Sequence, residues 1–170
     1  MRLYRSKYPP LHFGRTGQSR FDAPDASFGV LYVARQPKGA FAETFCRHGG
    51  ALRPLYEVEL NQYILAEVTS ARSLKLADFA GKGLARMGLD SRLSTGDYRI
   101  AQRWAATIHS HPDQPDGILY PSRHDPKQQL AALFDRSKSV LRVRRLGTPR
   151  SHLGDREFFE LLDHYGIALI

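Results

Sequence analysis

With 170 residues, 42% of them apolar and nine Phe and eight Tyr among them, the chain can build a core of its own as one domain. A single cysteine, Cys46, excludes an internal disulfide, and no run reaches the roughly 18 apolar residues that cross a bilayer. The net charge of +8, from 25 basic and 17 acidic residues, leaves three classes of partner open: nucleic acid, a phosphate-bearing small molecule and an acidic protein.

In chain order, Arg2 to Arg5 reads as a short opening strand, with no apolar stretch behind Met1 to suggest a signal peptide. A soluble, cytoplasmic protein is expected. Ser6 to Phe28 is turn-rich (Pro9-Pro10, Gly14, Gly17, Pro24), yet its aromatics and arginines argue for an ordered wall of a site. Gly29 to Ala34 reads as a buried strand, and Pro37 then opens a helix that runs to about His48 and stops at Gly49-Gly50. Leu55–Leu60 and Tyr63–Thr69 read as strands joined by Asn61-Gln62, and Leu74–Phe79 as a weaker third.

Ser94 or Thr95 is placed to cap a helix over about 97–109, whose face carries Tyr98, Ala101, Trp104, Ala105 and Ile108. Gly117 to Tyr120, Leu130 to Phe134 and Val140 to Val143 read as further strands. A last amphipathic helix covers about 155–165. The sum is an α+β fold with mixed, mainly antiparallel sheets.

Several residues carry chemistry in principle. Glu43 sits in the first helix among Ala40, Phe41, Ala42 and Phe45; it is either an ordinary exposed carboxylate or one held in a partly apolar cleft. Arg5 and Arg20 flank the turn-rich loop, and two guanidinium forks suit a diphosphate, although solvent exposure fits most of the basic residues equally well. Tyr32 fits a core role or a ring that stacks on a base. Ser122 follows a strand end, with no Gly-x-Ser-x-Gly elbow to make it a nucleophile. His109, His111 and His124 lack a metal-binding frame, so no metal is expected, and Cys46 reads as packing. The dense basic run Arg142 to Arg145 comes without a zinc-finger, basic-zipper or RNP-like pattern and reads as solvated surface.

The order of these segments adds more than any one of them. Leu3-Tyr4-Arg5, Ser19-Arg20-Phe21-Asp22-Ala23-Pro24, Gly29 to Ala34 and Ala40-x-x-Glu43 are followed by Asp97-Tyr98-x-x-x-Ala101-Gln102. Asp116-Gly117-Ile118-Leu119-Tyr120-Pro121-Ser122-Arg123 and Ala132-Leu133-Phe134 complete the set. This series resembles the RES domain family, named for an arginine, a glutamate and a serine. The resemblance implies one domain over 1–170, similar in fold to ADP-ribosyltransferase toxins. It also implies degradation of NAD by phosphorolysis or hydrolysis, and a toxin neutralised by an Xre-type antitoxin. Arg20, Glu43 and Ser122 match the residues of the name, and Arg5 and Tyr32 match other NAD-contacting positions. Many members have Gly-Gly-Arg-Trp-Asn where this chain has Gln18-Ser19-Arg20-Phe21-Asp22.

On that basis Glu43 is expected to stabilise the ribosyl cation, and Arg5 and Arg20 to hold the diphosphate. Tyr32 is expected to pack on nicotinamide and Ser122 to orient its ribose. NAD is then a substrate, inorganic phosphate a candidate co-substrate, and no cofactor is needed. A homodimer is compatible with the sequence. Two other readings stay open: ADP-ribosyl transfer to a protein target, and a non-catalytic basic module that grips nucleic acid or an acidic protein.

Overall fold

The computed structural model describes residues 1–46, 54–80, 82–86, 88, 93 and 96–170. Among the described residues, seven strands form two sheets. Strands β1 (Arg2–Arg5), β3 (Tyr63–Ser70) and β7 (Leu141–Gly147) make an antiparallel sheet in the order β1-β3-β7. Strands β2 (Val30–Ala34), β6 (Gln129–Phe134), β5 (Gly117–Pro121) and β4 (Leu76–Asp78) make the other, in the order β2-β6-β5-β4. Only the β4–β5 pair in these two sheets is parallel. The fold is α+β and mainly antiparallel, as the sequence leads one to expect.

The second sheet is covered on both faces, which explains its unbroken apolar strands. Along β2, Val30, Tyr32 and Ala34 turn into the main core with Phe21, Phe28, Phe79, Ile118 and Phe134. Leu31 and Val33 turn to the opposite side, with Leu133 and Leu141. Strand β5 lies so close to β6 that a Cβ on Gly117 would stand 2.4 Å from the Ala132 carbonyl oxygen. Glycine is the residue that fits there.

Helix α1 (Pro37–Phe45) leaves β2 after a two-residue connection, with Pro37 in its first turn. Gly39, Ala40, Phe41 and Ala42 are all buried, so small side chains let the helix lie close to the strands while Phe41 enters a second core. The expected stop at Gly49-Gly50 lies outside the described residues. So do Ser94 and Thr95; the observed cap of α4 (Tyr98–His109) is Asp97, whose carboxylate accepts the Arg99 N–H at 2.9 Å. The apolar face expected of α4 is only partly buried: Ala101 and Ala105 are enclosed, Gln102 joins them, and Tyr98 stands 40% exposed.

The strand expected over 55–60 is instead a helical turn, α2 (Glu57–Leu60), preceded by a one-residue bridge between Leu55 and Leu169. The alternation there is misleading because Val58 is 72% exposed; only Leu55 and Leu60 enter the core, beside Phe158, Leu161 and Leu162. A short helix α3 (Lys82–Arg86) follows β4, and a 3-10 segment (Asp135–Val140) joins β6 to β7. The last helix, α5 (Pro149–Tyr165), starts earlier than expected. Thr148 caps it by accepting the Ser151 N–H, Pro149 occupies the first turn, and Gly154 at φ +77° kinks it, so the expected span is its second half. Among the described residues no helix is long and apolar enough to cross a membrane.

Candidate functional site

Arg20, Tyr32 and Glu43 line one cavity of about 270 Å³, together with Tyr98, Tyr120 and Arg123. Each arrives on a different element. Tyr32 comes from β2, Glu43 from the last turns of α1, Tyr120 from β5 and Tyr98 from the start of α4. Glu43, Tyr32 and Tyr120 also border a smaller space of about 90 Å³ on the side of β1.

Arg20 is carried by a loop that is tied down on both sides. Phe21 is fully buried against Tyr120, with ring centroids 4.7 Å apart, and that burial contributes about 2–3 kcal/mol. Asp22, 2% exposed, accepts three hydrogen bonds: from the Tyr32 hydroxyl at 2.9 Å, the Thr16 hydroxyl at 3.1 Å and the Ser19 N–H at 3.1 Å. The Phe21 N–H donates back to the Tyr32 hydroxyl oxygen at 2.9 Å. From the other side, Gln102 on α4 donates its amide to the carbonyls of Gly17 and Ser19 at 2.8 and 3.0 Å.

The Arg20 guanidinium is 8% exposed as a residue and lies over the Tyr98 ring, 4.4 Å from its centroid. Its Nη1 donates to the carbonyls of Leu93 and Gly96 at 3.2 and 3.1 Å. Its Nη2 is buried and has no hydrogen-bond partner among the described residues. Burial pulls Arg20 below its ordinary pKa; the Tyr98 side chain opposes that pull and Arg123 adds to it. An arginine remains charged at neutral pH all the same, so a cation lines the cavity.

The carboxylate end is built differently. Ser122 follows β5 and is 2% exposed; its Oγ donates to Glu43 Oε1 at 2.6 Å. The same oxygen accepts the N–H groups of His124 and Asp125 at 3.1 and 3.2 Å. A hydroxyl has one proton and two lone pairs, and all three are engaged inside the protein. Ser122 therefore grips Glu43. Nothing is left over for direct contact with a ligand, which changes the role that the sequence suggests for it.

Of the remaining candidates, Tyr32 reaches the cavity but commits its hydroxyl to Asp22, and burial raises that hydroxyl's pKa well above the ordinary value. Arg5 lines neither space. It is exposed on β1, where its Nε donates to the Tyr63 hydroxyl at 3.2 Å and its guanidinium lies 5.7 Å from that ring's centroid. Cys46 is half-buried; burial above all, then Glu43 and Asp125, pushes its thiol up to about 11, which suits packing better than nucleophilic attack. His109 stacks on Phe28 at 4.1 Å, and among the described residues no group of His, Cys, Asp and Glu could hold a metal ion.

Asp22, Gln102, Tyr98, Tyr120 and Arg123 are contributors that the sequence reading does not single out. Asp22 and Gln102 stand inside the segments that carry the family resemblance, but only the folded loop shows what they bind. A polar residue beside a fully buried phenylalanine, as Asp22 is beside Phe21, is the one local signal that points to it.

Comparison with known proteins bears on the family and the fold. A probable toxin, y4kH, from Sinorhizobium fredii (strain NBRC 101917 / NGR234) is 29% identical over 118 residues, covering 69% of this chain and 91% of that protein. A chain in the crystal structure of the M. tuberculosis MbcT-MbcA toxin-antitoxin complex shares the fold, with a TM-score of 0.61 at 19% identity over 89% of this chain and 84% of that one. A sequence model described as the RES domain matches residues 2–154, which takes in the Arg20 loop, Glu43 and Ser122 alike. The chain belongs to the RES domain family.

Proposed function

We propose that this protein cleaves the nicotinamide–ribose bond of NAD, passes ADP-ribose to phosphate or water, and acts as the toxin of a toxin–antitoxin pair. The observation that carries the reading is one cavity lined by both a carboxylate held by Ser122 and a buried arginine whose Nη2 has no partner among the described residues.

Nicotinamide in NAD is a cationic leaving group. When its bond to the ribose carbon breaks, the electron pair leaves with the ring nitrogen and neutralises it, so no acid has to protonate it. Positive charge then develops on the ribose, and a preorganised carboxylate lowers the cost of that charge. Glu43 supplies the carboxylate, and Ser122 acts through it by holding Oε1. The Arg20 guanidinium takes the diphosphate, Arg123 adds positive charge, and the Tyr32 ring packs on the nicotinamide side. A phosphate or water oxygen then bonds to the ribose carbon and loses its proton to solvent. Arg5 has no part in this geometry unless it leaves Tyr63.

The toxin reading rests on the likeness to a probable toxin and to a chain from a toxin–antitoxin complex. The partner implied by the family resemblance is an Xre-type antitoxin, in a reducing cytoplasm that suits the lone Cys46. The test is nicotinamide release from NAD by purified protein, with and without inorganic phosphate. We expect release, faster with phosphate and yielding a phosphorylated ADP-ribose. Intact NAD under both conditions, from folded protein, would overturn the proposal.

A further inference from the structure

Helix α5 runs past residue 154, where the family match ends, and its final residue returns to the site. We propose that Tyr165 is a positioning residue that braces the Glu43–Ser122 pair; the proposal rests on the NAD-cleaving reading for its kinetic consequence. Tyr165 touches both parts of the chain that carry the pair. On one side its hydroxyl donates to Asp125 Oδ2 at 2.8 Å. Asp125 is 9% exposed, its Oδ1 accepts the Lys127 N–H at 3.2 Å, and its own N–H donates to Ser122 Oγ. On the other side the Tyr165 ring lies nearly parallel to Phe41 (14°, centroids 6.2 Å apart), with Lys38 Nζ 5.7 Å from its centroid. Phe41 and Lys38 belong to α1, the helix that bears Glu43.

The 2.6 Å bond from Ser122 to Glu43 thus closes a loop of contacts: α1 to Tyr165, Tyr165 to Asp125, Asp125 to Ser122, Ser122 to Glu43. Each member limits the others. Burial raises the Tyr165 hydroxyl's pKa and its bond to Asp125 raises it further, so the phenol keeps its proton and remains a donor. Burial raises the Asp125 carboxyl as well, but the bonds from Tyr165 and Lys127 more than offset it and hold it below the ordinary range. The acceptor stays ionised at neutral pH. Without the Tyr165 hydroxyl, the turn that bears Ser122 loses one of its ties to the helix that bears Glu43 and keeps the Ser122–Glu43 bond itself.

Tyr165→Phe removes one oxygen and keeps the ring on Phe41. We expect kcat for nicotinamide release to fall about tenfold while KM for NAD stays within about twofold, because the carboxylate is misplaced and the Arg20 end is untouched. In a Ser122→Ala background the same change should cost less than about twofold, since the brace has nothing left to hold. A readout free of turnover is amide hydrogen exchange at His124 and Asp125, expected to rise about tenfold in Tyr165→Phe, with the amides of β2 and β6 unchanged. An unchanged kcat in an active background, equal losses in both backgrounds, or unchanged exchange at those two amides would overturn the proposal. A wild-type protein that leaves NAD intact would instead overturn the NAD reading, and the exchange data would still decide on the brace.

Discussion

At the Glu43 end of the cavity a 2.6 Å bond from Ser122 holds the carboxylate, and two backbone N–H groups fix Ser122; at the Arg20 end the guanidinium rests on two carbonyls and Nη2 has no partner among the described residues. The two ends suit different tasks. A group that must meet charge as it develops gains from being held in place beforehand, because no reorganisation is needed during the reaction. A group that must bind an anion gains from a donor that no protein atom satisfies, because the ligand supplies the missing acceptor. Under the proposed NAD-cleaving function this contrast separates chemistry from binding, and mutations at the two ends should divide the kinetics accordingly.

The largest effect is expected from Glu43→Gln, which keeps the shape and removes the charge: nicotinamide release should fall about 10³-fold with NAD affinity little changed. Equal activity in the variant would remove Glu43 from the chemistry. Next comes Ser122→Ala, which keeps the carboxylate but removes its 2.6 Å bond from Ser122; a fall of about 30-fold in kcat with nearly constant KM is expected from steady-state assays. A rise in KM instead would return Ser122 to the role of substrate ligand. At the other end, Arg20→Ala should raise KM for NAD about tenfold and leave kcat closer to wild type. A loss confined to kcat would erase the contrast between the ends.

The smallest effect on turnover is expected away from the cavity, at the bidentate pair of Arg72 and Asp116, whose bonds are both 2.7 Å. Arg72→Ala leaves the buried Asp116 with the bond from the Lys75 N–H and should lower the urea midpoint of unfolding without changing kcat. Arg72 holds the Asp116 carboxyl below its ordinary pKa. The pair's contribution is therefore complete above the unfolded carboxylate pKa of about 3.9 and fades as pH falls through the lowered folded value. The gap between wild type and variant should narrow in acid. A gap that widens there would mean that the pair is not what stabilises this edge.

How much of this was legible beforehand differs between the two sheets and the loops. Strand β2 could be read because five apolar residues in a row have few other uses, and Pro37 marked α1 by its own geometry. The segment 55–60 misled because alternation at Val58 and Leu60 mimics a half-buried strand, although one of the two faces solvent. The first turns of α5 are hidden in the sequence because Gly154 breaks the helical period. Arg20, Tyr32, Glu43 and Ser122 could be named from an ordered set of segments. Their division of labour could not, since it depends on which hydroxyl faces which carboxylate across long stretches of chain. Arg5 shows the limit from the other direction: its place in the sequence suggested the site, and register with Tyr63 put it elsewhere.

The most direct test of the cavity's role is a crystal structure of the Glu43→Gln variant with NAD bound. We expect the diphosphate oxygens on Arg20 Nη2 and the anomeric carbon of the nicotinamide ribose facing residue 43. NAD bound elsewhere, or a cavity in which Arg20 Nη2 stays unpartnered at saturating NAD, would contradict it.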